Sequence, residues 1–326
     1  MALLEDASLS GTENGLFAAL VTPTDDLGRV DIATLARLVY FIEERGVDGV
    51  VIGGATGEYA SFSYEQRGRL IREVAGLAVG RFAALAGIGA QTTQETLLLG
   101  SVAADSGCRA ALLPTPYFFS YQQEDLREYC ATVSRALEIP CLLYHLPSFT
   151  NRLDFETLSE LLQSDAGLAG IKDSSGDTGN LAPLANARAS KPLRLFVGHD
   201  SLALSAISAG WDGIISGIAC FLPELLVHLA KSFRAGDLKA ARERQDELDQ
   251  VIEELVKLPI PWGVRIGLEA RGISSGPLPL PLSPRRKQQV AAYRDWCRNW
   301  LRDKAWVHPL PTSELRRYRR LQRSKE

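Results

Sequence analysis

The chain has no cysteine framework, no long apolar run and no strong excess of either charge, and each lack removes a class of protein. Its five cysteines, Cys108, Cys130, Cys141, Cys220 and Cys297, are scattered and form no C-x-x-C pair. An odd, dispersed set argues against a disulfide framework and fits a reducing cytoplasm. No uncharged apolar run is long enough to span a bilayer. Residues 1–14 lack the positive and apolar regions of a signal peptide, so we read them as a polar lead-in. The net charge of −3 provides no overall basic field for nucleic acid or membrane. Only the end is basic: Arg316-Arg317-Tyr318-Arg319-Arg320 lies in residues 310–326, read as a frayed tail with a partner contact as the alternative.

Nucleotide and metal signatures are missing too. No strand leads into G-x-G-x-x-G; Gly87-Ile88-Gly89 lacks the remainder. The loop Gly53-Gly54-Ala55-Thr56-Gly57-Glu58 has no Gly-Lys-Ser/Thr and is no phosphate loop. The four histidines, His145, His199, His228 and His308, show neither H-x-H nor H-E-x-x-H spacing. We therefore expect no metal and no external cofactor, although His145, His199 and Asp200 are a conceivable divalent set.

What is present is a regular alternation. Apolar content is 46%, enough for a full core. Short, non-alternating apolar runs recur at Gly15–Thr22, Val47–Ile52, Phe82–Ile88, Cys108–Leu113, Pro140–Tyr144, Leu168–Lys172, Leu193–Val197 and Gly213–Ser216. Helical patterns fill the gaps, with Asp31 and Asp154 placed as N-caps. Buried parallel strands read this way, because both faces are covered. Eight such units in about 220 residues predict an α/β fold, a TIM (β/α)8 barrel, with an open doubly wound sheet as runner-up. Beyond Ser216 the chain reads as the eighth barrel helix and then further helices. The expected organisation is a barrel over residues 15–235, a C-terminal helical extension over 236–309 and the tail.

A TIM barrel gathers its chemistry at the C-terminal ends of its strands. The polar residues falling there are Thr22, Thr56, Glu58, Tyr117, Tyr144, His145, Lys172, His199, Asp200 and Ser216. Lys172 stands out. An amine at the tip of a buried strand loses hydration, its pKa falls, and the free amine that attacks carbonyls accumulates. Taken alone it reads more readily as a strand-end lysine with its head in solvent. In a concave mouth, with Tyr144 on the preceding strand as proton carrier, it reads as a Schiff-base lysine. The backbone amides of the Gly53–Glu58 loop could cradle a carboxylate or merely make a tight turn.

These residues carry a family resemblance. Ala19-Leu20-Val21-Thr22-Pro23, Gly54-Ala55-Thr56-Gly57-Glu58, Pro116-Tyr117, Tyr144-His145-Leu146-Pro147, Gly170-Ile171-Lys172-Asp173, Gly210-Trp211-Asp212-Gly213-Ile214-Ile215-Ser216 and Gly276-Pro277-Leu278-Pro279-Leu280-Pro281-Leu282 occur in the order of a known family. From about Gly15 to Trp300 the chain resembles the dihydrodipicolinate synthase / N-acetylneuraminate lyase family of class I, pyruvate-handling aldolases. The resemblance implies that Lys172 forms an imine with a 2-oxo acid, usually pyruvate, and that Tyr144 is the general acid/base. It also implies that Ala55, Thr56 and Gly57 hold the carboxylate, that the Ile215 carbonyl faces the lysine, and that Tyr117 lies near a subunit contact. His145 takes the place of the usual asparagine beside the substrate. The partners implied are a pyruvate-like 2-oxo acid, an aldehyde, and further copies of the chain in a tetramer or dimer.

Three departures bear on substrate. Ala55 and Phe118 stand where the synthases place hydroxyl residues of a proton relay, and Phe149 where they place an arginine for the second substrate's carboxylate. The expected activity is therefore a lyase that cleaves or condenses a 2-oxo acid with pyruvate as common product or donor. Open alternatives are a 2-keto-3-deoxy sugar acid dehydratase, a dihydrodipicolinate synthase and a non-catalytic 2-oxo-acid-binding protein. Phe118, Phe119 and Phe149 suggest an apolar wall for the partner.

Overall fold

The fold is seen in a computed structural model that describes residues 15–188 and 190–307. The lead-in, the basic tail and His308 lie outside the described residues. Eight parallel strands close into a barrel in the order β1 to β8: β1 (Leu16–Ala19), β2 (Gly49–Ile52), β3 (Ala83–Gly87), β4 (Ala110–Pro114), β5 (Cys141–His145), β6 (Leu168–Asp173), β7 (Arg194–Val197) and β8 (Gly213–Ser216). β8 closes on β1 with Ile215 opposite Phe17. The TIM barrel predicted from the alternation is the observed fold, and the doubly wound runner-up is excluded.

The helices between the strands are α1 (Ile32–Glu43), α2 (Tyr64–Ala78), α3 (Thr93–Asp105), α4 (Gln123–Ala136), α5 (Phe155–Gln163), α6 (Leu181–Ala187) and α7 (Ala203–Ser208). Asp31 and Asp154 cap as predicted, accepting from the amides of Thr34 and Thr157. Ser63 and Gln66 build a capping box at the start of α2. The eighth barrel helix, α8 (Pro223–Arg234), opens on a proline, whose missing amide costs nothing in a first turn. Three more helices follow: α9 (Leu238–Leu255), α10 (Ile260–Ala270) and α11 (Pro284–Arg302). They make the C-terminal helical segment.

Two apolar layers result. Inside the barrel lie Phe17, Val51, Leu85, Leu112, Leu142 and Phe196, with Phe17 and Phe196 edge-to-face at 5.4 Å. The larger layer lies between strands and helices. The inner plug fills the barrel floor, so any ligand space must lie above it, at the C-terminal mouth.

One irregularity aims the mouth. Between β5 and β6 the register slips, Cys141 facing Leu168 but Leu142 facing Gly170. The extra residue, Ala169, is a bulge. Gly170 has φ +155°, and a Cβ there would meet the Arg194 carbonyl at 1.9 Å, so only glycine fits. After the slip Tyr144 stands opposite Lys172.

Candidate active site

A cavity of about 410 Å³ opens at the C-terminal ends of the strands. Its floor holds Lys172, Tyr144 and Ile215; its sides hold Ala55, Thr56, Tyr117, Ser174 and Asp200. These side chains reach one space because each sits at, or just past, the end of a different strand.

Lys172 is buried, with Nζ 4.2 Å from the centre of the Tyr144 ring. Burial pulls its pKa down to about 7, against the opposing pull of the Asp200 carboxylate. The neutral amine is thus available near neutral pH. Burial pushes the Tyr144 phenol well above its usual range, so it stays protonated; the Ser174 hydroxyl and the Ala55 amide act in the opposite direction. Ser174 Oγ nevertheless closes no full hydrogen bond and is buried without a partner. Asp200 follows β7 at the start of a 3-10 turn. Burial pushes its carboxyl up to about 6, while the Ser216 hydroxyl and Lys172 pull it down. Its Oδ1 is buried with no partner. Near neutral pH the site therefore presents a lysine that is partly free amine, a protonated phenol and a carboxylate with one open oxygen.

Gly198, the residue after β7, is pressed against the lysine. A Cβ there would lie 2.0 Å from Ser174 Oγ and 2.6 Å from Lys172 Cε. The rim is held by an ion pair that joins distant stretches. Glu58 accepts from Arg265 on α10 at 2.9 Å, and Arg265 also donates to the carbonyls of Ser275 and Pro277. The loop after β2 is thereby fastened to α10 and to the proline-rich segment.

Of the residues singled out from sequence, the cavity brings together Lys172, Tyr144, Ala55, Thr56, Ile215 and Tyr117. Tyr117 packs edge-to-face on Tyr59 at 5.6 Å. Gly57 is not on the cavity wall; its carbonyl accepts from Thr22 and its amide turns back to Gly54. His145 is a correction. Alternate residues of β5, Leu142 and Tyr144, face inward while Cys141 and Leu143 face the helices. His145 falls in the outward set, buried, with Nδ1 3.0 Å from Asp173 Oδ1. It therefore has no contact with the cavity, and it joins β5 to β6 from behind. Asp173 also accepts from Ser175 and Asn180; despite burial, His145 and the Ser175 donors hold its carboxyl below the usual range. With His145 turned away, His145, His199 and Asp200 do not converge. No group of three or more His, Cys, Asp or Glu side chains able to hold a metal occurs among the described residues.

Sequence reading placed Asp200 at a strand end and considered it only as one of a divalent-metal set, and it missed Ser174, Gly198 and Arg265. It also missed Ile252 and Leu255 of α9, Val256 just past its end, and Ile260, Pro261 and Val264 of α10, which complete the wall. Phe149 lines the cavity, whereas Phe118 and Phe119 are strongly exposed and do not.

A buried lysine at the mouth of a TIM barrel, its pKa pulled down by burial beside a protonated tyrosine, is the arrangement that lysine-imine chemistry needs. Comparison narrows the class. The chain matches the model of the dihydrodipicolinate synthetase family over residues 12–297, and it belongs to that family. It is similar to the 4-hydroxy-tetrahydrodipicolinate synthase of Nitrosospira multiformis, 34% identical over 283 residues, 85% of this chain and 93% of the relative. Among solved structures, dihydrodipicolinate synthase from Aquifex aeolicus superposes with a TM-score of 0.81 at 26% identity, over 88% of this chain and 98% of that one. A prophage protein of the same family from E. coli K12, solved in complex with pyruvate, shares the fold with a TM-score of 0.82 at 24% identity, over the same shares. The protein is accordingly an enzyme, a lyase of the lysine-imine type.

Proposed function

We propose that the enzyme cleaves a 4-hydroxy-2-oxo acid to pyruvate and an aldehyde, or runs the reverse condensation. The observation that carries this is the state of Lys172, a buried amine with a pKa of about 7 on a cavity floor. The neutral Nζ attacks the C2 carbonyl. Tyr144, 4.2 Å away by ring centre and protonated, passes protons as the carbinolamine loses water. The Thr56 hydroxyl and its own backbone amide hold the carboxylate, and the Ile215 carbonyl faces the imine nitrogen. The protonated imine draws in the electron pair of the C3–C4 bond, and an enamine forms. The open Oδ1 of Asp200 takes the C4 hydroxyl proton as the aldehyde leaves. C3 is then protonated, and water releases pyruvate and the lysine.

The test is borohydride reduction in the presence of pyruvate. A reduced adduct on the peptide carrying Lys172 is expected, and its absence would sink the reading. A screen of 2-oxo acids with pyruvate detection, beside Lys172→Ala, identifies turnover. Condensation with aspartate semialdehyde is the second reading, favoured by the names of the relatives; Ala55 and Phe149 on the cavity wall speak against it. Assembly as a homo-oligomer belongs to the same proposal. It is supported by the exposed group Phe118, Phe119, Tyr121 and Phe149. A cytoplasmic location is supported by five free, buried cysteines, and among the described residues no helix is long and apolar enough to cross a membrane.

A further inference from the structure

The cavity runs outward from Lys172 along a wall that the barrel does not make. Ile252 and Leu255 stand in the last turn of α9 with Val256 just beyond it, and Ile260, Pro261 and Val264 stand in the first turns of α10. Leu255 and Val264 are buried at depth, while Val256 and Ile260 stand at the rim, 60% and 44% exposed. Phe149 lies on the same cavity. We propose that this wall is the subsite for an uncharged, apolar group at the far end of the 2-oxo acid, so that the aldehyde released is aliphatic or aromatic. The inference rests on the lyase reading above and names its substrate class.

The charge inventory carries the argument. Among the described residues lining the cavity, Lys172 is the only lysine or arginine, and the imine consumes it. The nearby arginines are committed. Arg265 is engaged by Glu58, Ser275 and Pro277, and Arg67 donates to the carbonyls of Gly87 and Gly89 behind Tyr59. Arg152 lies outside the lining and faces Asp177 at 3.8 Å. The histidine on this lining, His199, is exposed and occupied with Ser201, so a second carboxylate on the substrate would lose its hydration here with no fixed cation beside it, and Asp200 would repel it. A polyhydroxylated tail finds little to bond where α9 ends and α10 begins: the Ile252 and Leu255 carbonyls accept from the Val256 and Leu258 amides, and Pro261 has no N–H. An apolar tail, by contrast, releases water from aliphatic side chains on both helices and leaves no polar group unpaired.

The test uses the full chain and a matched set of 4-hydroxy-2-oxo acids. Their distal groups are phenyl, isobutyl, carboxymethyl and a trihydroxylated chain. Pyruvate release is followed through lactate dehydrogenase, and borohydride trapping on Lys172 runs in parallel. We expect kcat/KM for the phenyl and isobutyl acids to exceed that for the carboxymethyl acid by about tenfold or more, the scale of discrimination one apolar contact supplies. Val256→Arg, at the rim, is expected to lower that ratio by about tenfold; a ratio taken on one preparation cancels any loss of folded protein. Ile260→Ser is expected to weaken only the apolar acids. Pyruvate release that favours the carboxymethyl or hydroxylated acid overturns the subsite while leaving the lyase reading intact, as does a ratio unmoved by Val256→Arg. No pyruvate and no adduct with any acid overturns the lyase reading and this inference together.

Discussion

Lys172 decides the chemistry because of where its amine is kept. Its pKa of about 7 makes kcat/KM rise with pH through neutrality, as the protonated amine is converted to the nucleophile. Asp200, at about 6, is ionised before that rise is complete, and Tyr144 stays protonated throughout. A pH–rate profile on any turned-over acid checks this, and a profile flat across neutrality would contradict it. The same burial has a cost in stability with a definite sign. Between about 7 and the ordinary 10.5, the unfolded chain holds a proton on Lys172 that the folded chain has lost. Stability therefore rises with pH across that window. Lys172→Met should abolish the borohydride adduct and flatten this slope. It should also stabilise the fold by about 1 kcal/mol or more, the equivalent of one pKa unit, in denaturant melts at neutral pH.

At the scale of elements, the site depends on two strands meeting closely. The bulge at Ala169 turns β6 so that Lys172 faces Tyr144, and the end of β7 then passes beside the lysine at Gly198. Gly198→Ala would put a methyl group 2.6 Å from Lys172 Cε and would push the side chain aside. A displacement of this kind costs about 100-fold in kcat. The thermal midpoint should shift little, because Ser174 and the lysine can yield where a backbone could not. Steady-state kinetics beside a thermal melt separates the two effects, and unchanged kcat would refute the contact. The bulge left one trace in the sequence, the glycine inside Leu168-Ala169-Gly170-Ile171. A glycine within a strand pattern signals a bulge or a close approach, but not which way the next residues turn. His145 shows the same limit. Its strand-end position was legible, but its face was not, because parity is set by the register with β6 and by the inner layer of Leu142 and Tyr144.

For the whole molecule, the barrel and the C-terminal helices are joined through buried charge. Glu224 on α8 accepts from Arg45, beyond the end of α1, at 2.9 Å and from Arg271, at the end of α10, at 2.7 Å. Both guanidiniums also lie over the Phe41 ring. Glu224→Ala would remove the carboxylate that two buried guanidiniums share and should cost about 1–3 kcal/mol. A denaturant melt is the measurement, and a loss below about 1 kcal/mol would show the network to be dispensable. The network also fixes α10, and with it Arg265 and the apolar wall, so the variant's preference among 2-oxo acids should blur as well.

The sequence by itself determined the eight-unit barrel, because covered parallel strands must be short continuous apolar runs and their alternation with amphipathic helices is a local property. It also marked Lys172 and Tyr144, because a charged or phenolic group at the end of such a run is conspicuous without any neighbour. Tertiary structure alone decided that His145 turns away to Asp173, that Asp200 enters the site with an open oxygen, and that α9 and α10 supply the far wall. Those three facts depend on strand register and on contacts between segments as far apart as Glu58 and Arg265, which no local pattern encodes.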